Sequence, residues 1–142
     1  MGLPVKIADI APRVATGAFI LNSGLAKRTA DEGTAKGLHG MAAGAYPILG
    51  RIEPQQFAKL LAAGEITLGA ALLAPVVPTA LAGAALTAFA GGLLGMYLRT
   101  PGLRQEGSLA PTQQGIAIAK DVWMLGIGVG FVADAVARRR AK

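Results

Sequence analysis

The segment Pro78–Leu98, PTALAGAALTAFAGGLLGMYL, runs for twenty-one residues without a charge. At a helical rise of about 1.5 Å per residue it spans about 31 Å, the thickness of one bilayer hydrocarbon core. A helix that is apolar on every face needs either lipid or a large protein core around it, and 142 residues cannot supply the latter. The run therefore predicts a membrane helix. Composition agrees, with 53% hydrophobic and 15% charged residues, where soluble domains carry about 25% charged. Disorder, which needs low hydrophobicity, is excluded, and a water-soluble enzyme is disfavoured.

Three further apolar stretches accompany this run. The predicted fold is all-α, a four-transmembrane-helix bundle forming a single membrane domain over residues 1–142, with spans at about 10–28, 55–77, 78–98 and 112–136. The first span, IAPRVATGAFILNSGL, is the least apolar because it contains Arg13 and Asn22; Pro12 suits a first helical turn. A signal peptide is the competing reading, with MGLPVKIADIAPR as n-region and VATGAFIL as h-region. The early Asp9 and the lack of a clean small-residue cleavage site favour a retained helix. Pro75 and Pro78 bracket Val76 and Val77, so spans two and three are expected to be antiparallel neighbours across a tight turn. The Gly-rich stretch GLHGMAAGAYPILG is too short to cross, and an interfacial or re-entrant helix is expected over about 37–50.

The chain has no cysteine and one histidine. Disulfides, thiolate chemistry, Fe–S clusters and Cys-ligated zinc are therefore excluded. His39 reads as a loop residue, and neither a metal site nor a catalytic set is expected. Enzymatic activity by the chain alone is not anticipated. The net charge of +6 comes from basic residues at the edges of apolar runs, the pattern of a membrane protein rather than a nucleic-acid binder. Six lysines and arginines fall on each side of a four-span topology. The dense RRRAK tail after the fourth span breaks the tie and places both termini in the cytoplasm.

Small residues mark packing surfaces. Gly83, Thr87, Gly91 and Gly95 follow i, i+4 steps on span three, and Gly126 and Gly130 repeat the device on span four. These are expected to face a neighbouring helix, within the chain or in another subunit or copy. Charges at depth need partners, because each costs roughly 2.5–3.5 kcal/mol in lipid. Glu65 lies about ten residues into span two, roughly 15 Å from its start, out of snorkelling reach. It is expected to face the interior and to meet Asn22, Lys27 or Lys120. It is read either as an interhelical partner or as a ligand-contacting, proton-accepting carboxylate. Lys120 and Asp121 are neighbours about 100° apart on a helix, so one of them at most is expected to turn inward. Arg13 is read as a snorkelling end residue.

Span one reads Arg13-x3-Gly17-x6-Gly24-x2-Lys27, and span two reads Phe57-x7-Glu65-x3-Gly69-x2-Leu72. Over about residues 10–130 the chain resembles the DoxX-like family of small bacterial four-helix membrane proteins. The resemblance implies functional weight for Arg13, Gly17, Gly24, Lys27, Glu65 and Gly69. The family takes its name from likeness to the small subunit of a thiosulfate:quinone oxidoreductase, and its members are linked to membrane oxidoreductases. Three functions follow as expectations. The first is a non-catalytic membrane subunit of an envelope complex, with other subunits, copies of itself and lipids as partners. The second is a quinone- or lipid-binding protein using Glu65. The third is a small oligomeric transporter. A closed bundle with Glu65 paired and no cavity would favour the first; a lipid-open cavity reaching Glu65 would favour the second.

Overall fold

The computed structural model describes residues 5–142. The first four residues, which begin the n-region of the signal-peptide reading, lie outside the described residues. Helix α1 spans Ile7–Arg28, α2 Glu32–Ala45, α3 Pro54–Leu73, α4 Thr79–Arg99, α5 Ile116–Ala119 and α6 Val122–Arg140. A 3-10 turn, Pro47–Arg51, joins α2 to α3. The described residues are helical and contain no strand, only an isolated bridge from Arg104 to Pro111 in the α4–α5 loop.

Three segments are long and apolar enough to cross a membrane: α3 with 20 residues, α4 with 21, and the continuous stretch Ile116–Arg140 with 25. Between 22% and 33% of each apolar window is buried inside the chain, so most of this surface faces outward. Leu60, Leu81, Val122 and Trp123 are each more than half exposed. Apolar surface this extensive is the mark of a protein whose solvent is lipid. Helix α1, which carries Asp9, Arg13, Lys27 and Arg28, falls outside that set of three.

Local chemistry sets the boundaries. Pro54 opens α3, where its missing N–H costs nothing. Ala74, which precedes Pro75, is extended at φ −78° and ψ 116° and ends α3. The side chain of Asp31 caps α2 by accepting from the Thr34 N–H at 2.7 Å, and that hydrogen bond holds the Asp31 carboxyl below its ordinary range. Helix α2 thus starts at Glu32, earlier than the expected 37. His39 sits within it rather than in a loop, bonded through Nε2 to the Leu49 carbonyl at 2.9 Å and edge-on to Phe57. Helix α1 begins at Ile7, so Pro12 lies beyond its first turn.

The tertiary arrangement corrects the expected hairpin. The Ala74–Pro78 turn is tight, but α3 and α4 make few contacts with each other. Helix α3 packs instead along α1, and α4 along α6. In the first pair Gly17 and Gly24 lie against α3, and Gly69 lies against the backbone of Leu21. In the second pair Gly83 meets Phe131, and Gly128 meets Thr87 and the Gly83 carbonyl. The pairs join through a core of Ile20, Leu68, Leu72, Leu86, Ala90 and Phe131.

The glycine ridges correct the expected register. Gly83 packs as expected, and Gly95 lies where Tyr46 reaches across. Gly91, Gly126 and Gly130 are exposed with nothing within 4 Å of an added Cβ. Steps of four residues advance about 40° beyond a full helical turn, so an i, i+4 row rotates off a straight interface within two steps. The buried row of α4 instead steps by four, three and four through Thr79, Gly83, Leu86 and Ala90, with Ala82 beside Gly83. On α6 it is Gly128, between the two expected glycines, that faces α4.

A substitution pair tests this packing. An alanine Cβ at Gly69 would lie 2.6 Å from the Leu21 backbone nitrogen, a clash that no side-chain rotation relieves. Gly69→Ala is expected to lower stability by about 1–3 kcal/mol. Gly91→Ala should be neutral or raise it by up to about 1 kcal/mol through helix propensity. Thermal unfolding in detergent separates the two, and equal effects would refute the assigned faces.

Arg13 closes one end of the bundle. It is 2% exposed, not snorkelling. Its guanidinium donates to the carbonyls of Ala71, Leu72, Ala74 and Val77 and to Thr79 Oγ1, all at 2.8–2.9 Å. The last carbonyls of α3, which lack partners within the helix, are satisfied together with the turn that follows. At the same end Lys6 and Asp134 pair at 2.6 Å, bringing the start of α1 beside the end of α6.

Candidate functional site: a cavity between two ion pairs

At the end opposite Arg13 the helix pairs part, and α2, the 3-10 turn and α5 roof the space between them. The result is a cavity of about 590 Å³. Phe19, Phe57, Phe89, Met41, Met96 and Met124 supply much of its apolar wall. The roof is tied down by Tyr46, whose hydroxyl donates to the Gly92 carbonyl at 2.8 Å across Gly95. Arg99 lies 5.1 Å over the Tyr46 ring and donates to the Ala45 carbonyl, completing the C-terminus of α2. In the α4–α5 loop the Tyr97 hydroxyl holds the Leu109 carbonyl at 2.6 Å.

Two ion pairs line the cavity. Glu65 is 4% exposed and accepts from Lys27 Nζ at Oε2, 3.1 Å away. Lys27 also donates to Ser23 Oγ at 2.5 Å, one turn earlier on the same face of α1. Oε1 of Glu65 has no protein partner among the described residues. In the second pair Lys120 Nζ lies 3.1 Å from Asp121 Oδ1 and 4.5 Å over the Phe19 ring. The Asp121 side chain is 7% exposed.

Both Lys120 and Asp121 border the cavity, which corrects the expectation that one at most turns inward. The reason is a break in the helix. At Lys120 and Asp121 ψ falls to −20° and −7°, and the Asp121 and Trp123 N–H groups bond three residues back. The 100° step of a regular helix does not apply across such a junction.

The sequence-level candidates thus separate. Lys27, Glu65, Lys120 and Asp121 come together around one cavity. Asn22, expected in the polar interior, is on the exposed face of α1; Ser23, one residue on, takes its place because it lies four residues before Lys27. That spacing was legible as an i, i+4 pair. Phe19 and Tyr46 carried no local signal, since their partners Lys120 and Gly92 are distant in sequence. No group of three or more His, Cys, Asp or Glu side chains is placed to hold a metal ion among the described residues.

The fold and cavity define a small helical membrane protein with a charged, internally neutral site. Comparison with protein-family models, with curated proteins and with solved structures finds no match for this chain.

Proposed function

We propose that this chain is a four-span bacterial inner-membrane protein that binds a lipid-soluble molecule, a quinone or a lipid, in the cavity at Glu65. The observation that carries this is the cavity itself: apolar walls of bilayer-soluble character converge on a few fixed charges, the usual composition of a ligand site. A subunit made only for packing has no use for that space.

The fourth span is α1. Its 22 residues reach about 33 Å. Arg13 is turned into the protein and Lys27 is paired, while Ile10, Val14 and Leu25 face outward. The Lys6–Asp134 contact, which joins the start of α1 to the last part of α6, supports an even number of spans, and the RRRAK tail favours the cytoplasm for the side that carries the termini. The DoxX-like resemblance draws support from geometry. Arg13, Gly17, Gly24 and Lys27 of α1, with Glu65 and Gly69 of α3, all lie on the single α1–α3 interface. An oxidoreductase link would follow from a quinone ligand, because quinone reduction couples electrons to protons and a buried carboxylate serves the proton. A place in a larger envelope complex is favoured by Gly91, Gly126 and Gly130, outward-facing positions that admit a partner helix closely.

The test is purification in mild detergent from native membranes, followed by mass spectrometry of bound lipids, quinones and proteins. A lipid-soluble molecule is expected in near-stoichiometric amount. Ala88→Phe, which places a ring in the cavity, should reduce it at least ten-fold. Wild-type protein free of any bound amphiphile, or retention unchanged by Ala88→Phe, would overturn the reading.

A further inference from the structure

Because α3 packs on α1 and α4 on α6, the bundle is split along the seam between α3 and α4. That seam is a cleft of about 520 Å³, lined by Leu60, Gly64, Thr67, Ala71 and Ala85, and its inner wall is formed by Leu61, Glu65 and Phe89. The same Leu61, Glu65 and Phe89 also line the central cavity. One carboxylate, nine-tenths buried and with Oε1 unpartnered, therefore stands where an apolar cleft meets a polar-ended chamber. The opposite seam, between α1 and α6, holds a smaller space of about 230 Å³. There the ring of Phe19 and the ammonium of Lys120 stand together in the wall shared with the cavity.

From this we infer that the α3–α4 cleft is the tail-binding slot and lateral entrance of the ligand site, and that the ligand is an amphiphile with an uncharged, hydroxyl- or carbonyl-bearing head and a hydrocarbon tail. The inference rests on the ligand-binding reading above. The head chemistry follows from charge. Lys27 balances Glu65 and Lys120 balances Asp121, so the chamber is neutral as it stands. A charged head would arrive without a counter-charge in a poorly solvated space. An uncharged head can donate to the open Oε1 of Glu65 and accept from the ammonium of Lys27, disturbing neither pair. The tail chemistry follows from the cleft, whose lining is apolar apart from Glu65 and Thr67. Its floor is kept low by Ala63, Gly64, Ala71 and Ala85; at Gly64 an added Cβ meets nothing within 4 Å.

That open position supplies the experiment. Full-length protein in lipid nanodiscs is incubated with a monoacylglycerol carrying a photoreactive diazirine at the tail end, and with the matching free fatty acid as an anionic counterpart. Cross-linked peptides are then mapped by mass spectrometry. Labelling by the monoacylglycerol is expected within α3 and α4, on the 60–71 and 85–89 segments, and at least five-fold above the fatty acid. Gly64→Leu, whose Cβ meets nothing within 4 Å and whose side chain extends into the cleft, should reduce that labelling at least five-fold. Ala15→Leu, which fills the α1–α6 space, should leave it unchanged. Labelling confined to α1 and α6, or insensitive to Gly64→Leu, or stronger with the fatty acid, would overturn the inference while leaving the ligand reading intact. Absence of saturable labelling by either probe on any helix would overturn both. Unchanged thermal unfolding of both variants establishes that they are folded.

Discussion

Replacing Arg13 by leucine is expected to have the largest effect on stability of any single change in this protein. Five hydrogen bonds disappear at once, and their acceptors are the terminal carbonyls of α3, the turn and Thr79. Those on Leu72 and Thr79 are buried. Each buried acceptor left without a donor costs about 1–3 kcal/mol, so about 2–6 kcal/mol is expected from these two alone. Leucine carries no donor, so none of these five acceptors regains a partner from it. Arg13→Lys retains the charge but not the planar fork that reaches several carbonyls at once, and should fall between leucine and wild type. The measurement is reversible unfolding in mixed micelles. The α1–α3 pair should loosen first, seen as faster hydrogen exchange in Ala71–Leu73. A loss below about 1 kcal/mol for Arg13→Leu would show that the clamp does not hold this end together.

The second expected result concerns Glu65 and Lys27. Glu65→Gln keeps the shape and can still accept from Lys27, but leaves the ammonium without its counter-charge. Breaking a buried pair by removing one member costs about 3–5 kcal/mol. The Lys27 side chain is 20% exposed, so part of that is relieved and about 2–3 kcal/mol is expected. The double variant Lys27→Met, Glu65→Leu removes both charges and should restore most of the stability, since apolar groups of similar size replace an ion pair with little net change. Ligand retention should behave differently. It is expected to fall in Glu65→Gln, where the amide oxygen stays on Lys27 and an NH2 group replaces the open acceptor, and to stay low in the double variant, which has no oxygen there at all. Recovery of binding together with stability would mean that Glu65 serves the fold alone.

Tyr46 and Gly95 extend the same logic to the roof. They meet across 49 residues of sequence, and nothing near either one predicts the contact. Neighbouring parts of the roof were partly legible: Asp31 three residues before Thr34 is a helix start signal, although the run of glycines in α2 disguised it as a loop.

The sequence by itself determined that this chain is helical and that three segments suit a membrane, because those properties depend on the hydropathy and length of continuous runs. It also determined that Glu65 needed a partner, because burial of a charge is costly wherever the chain goes. Only the tertiary structure decided which partner. Lys27 and Ser23 are four residues apart, but their approach to Glu65, 38 residues further on, depends on close packing of α1 along α3. That packing is set by Gly17, Gly24 and Gly69 acting together, where each glycine alone admits many neighbours. The same holds for the cavity. Periodicity identifies the apolar faces of a helix in lipid poorly, since every face is apolar, so the division into an α1–α3 pair and an α4–α6 pair leaves no mark on any one helix. The space between the pairs is a property of their separation, and separation is decided by backbone contacts that no local run of residues encodes.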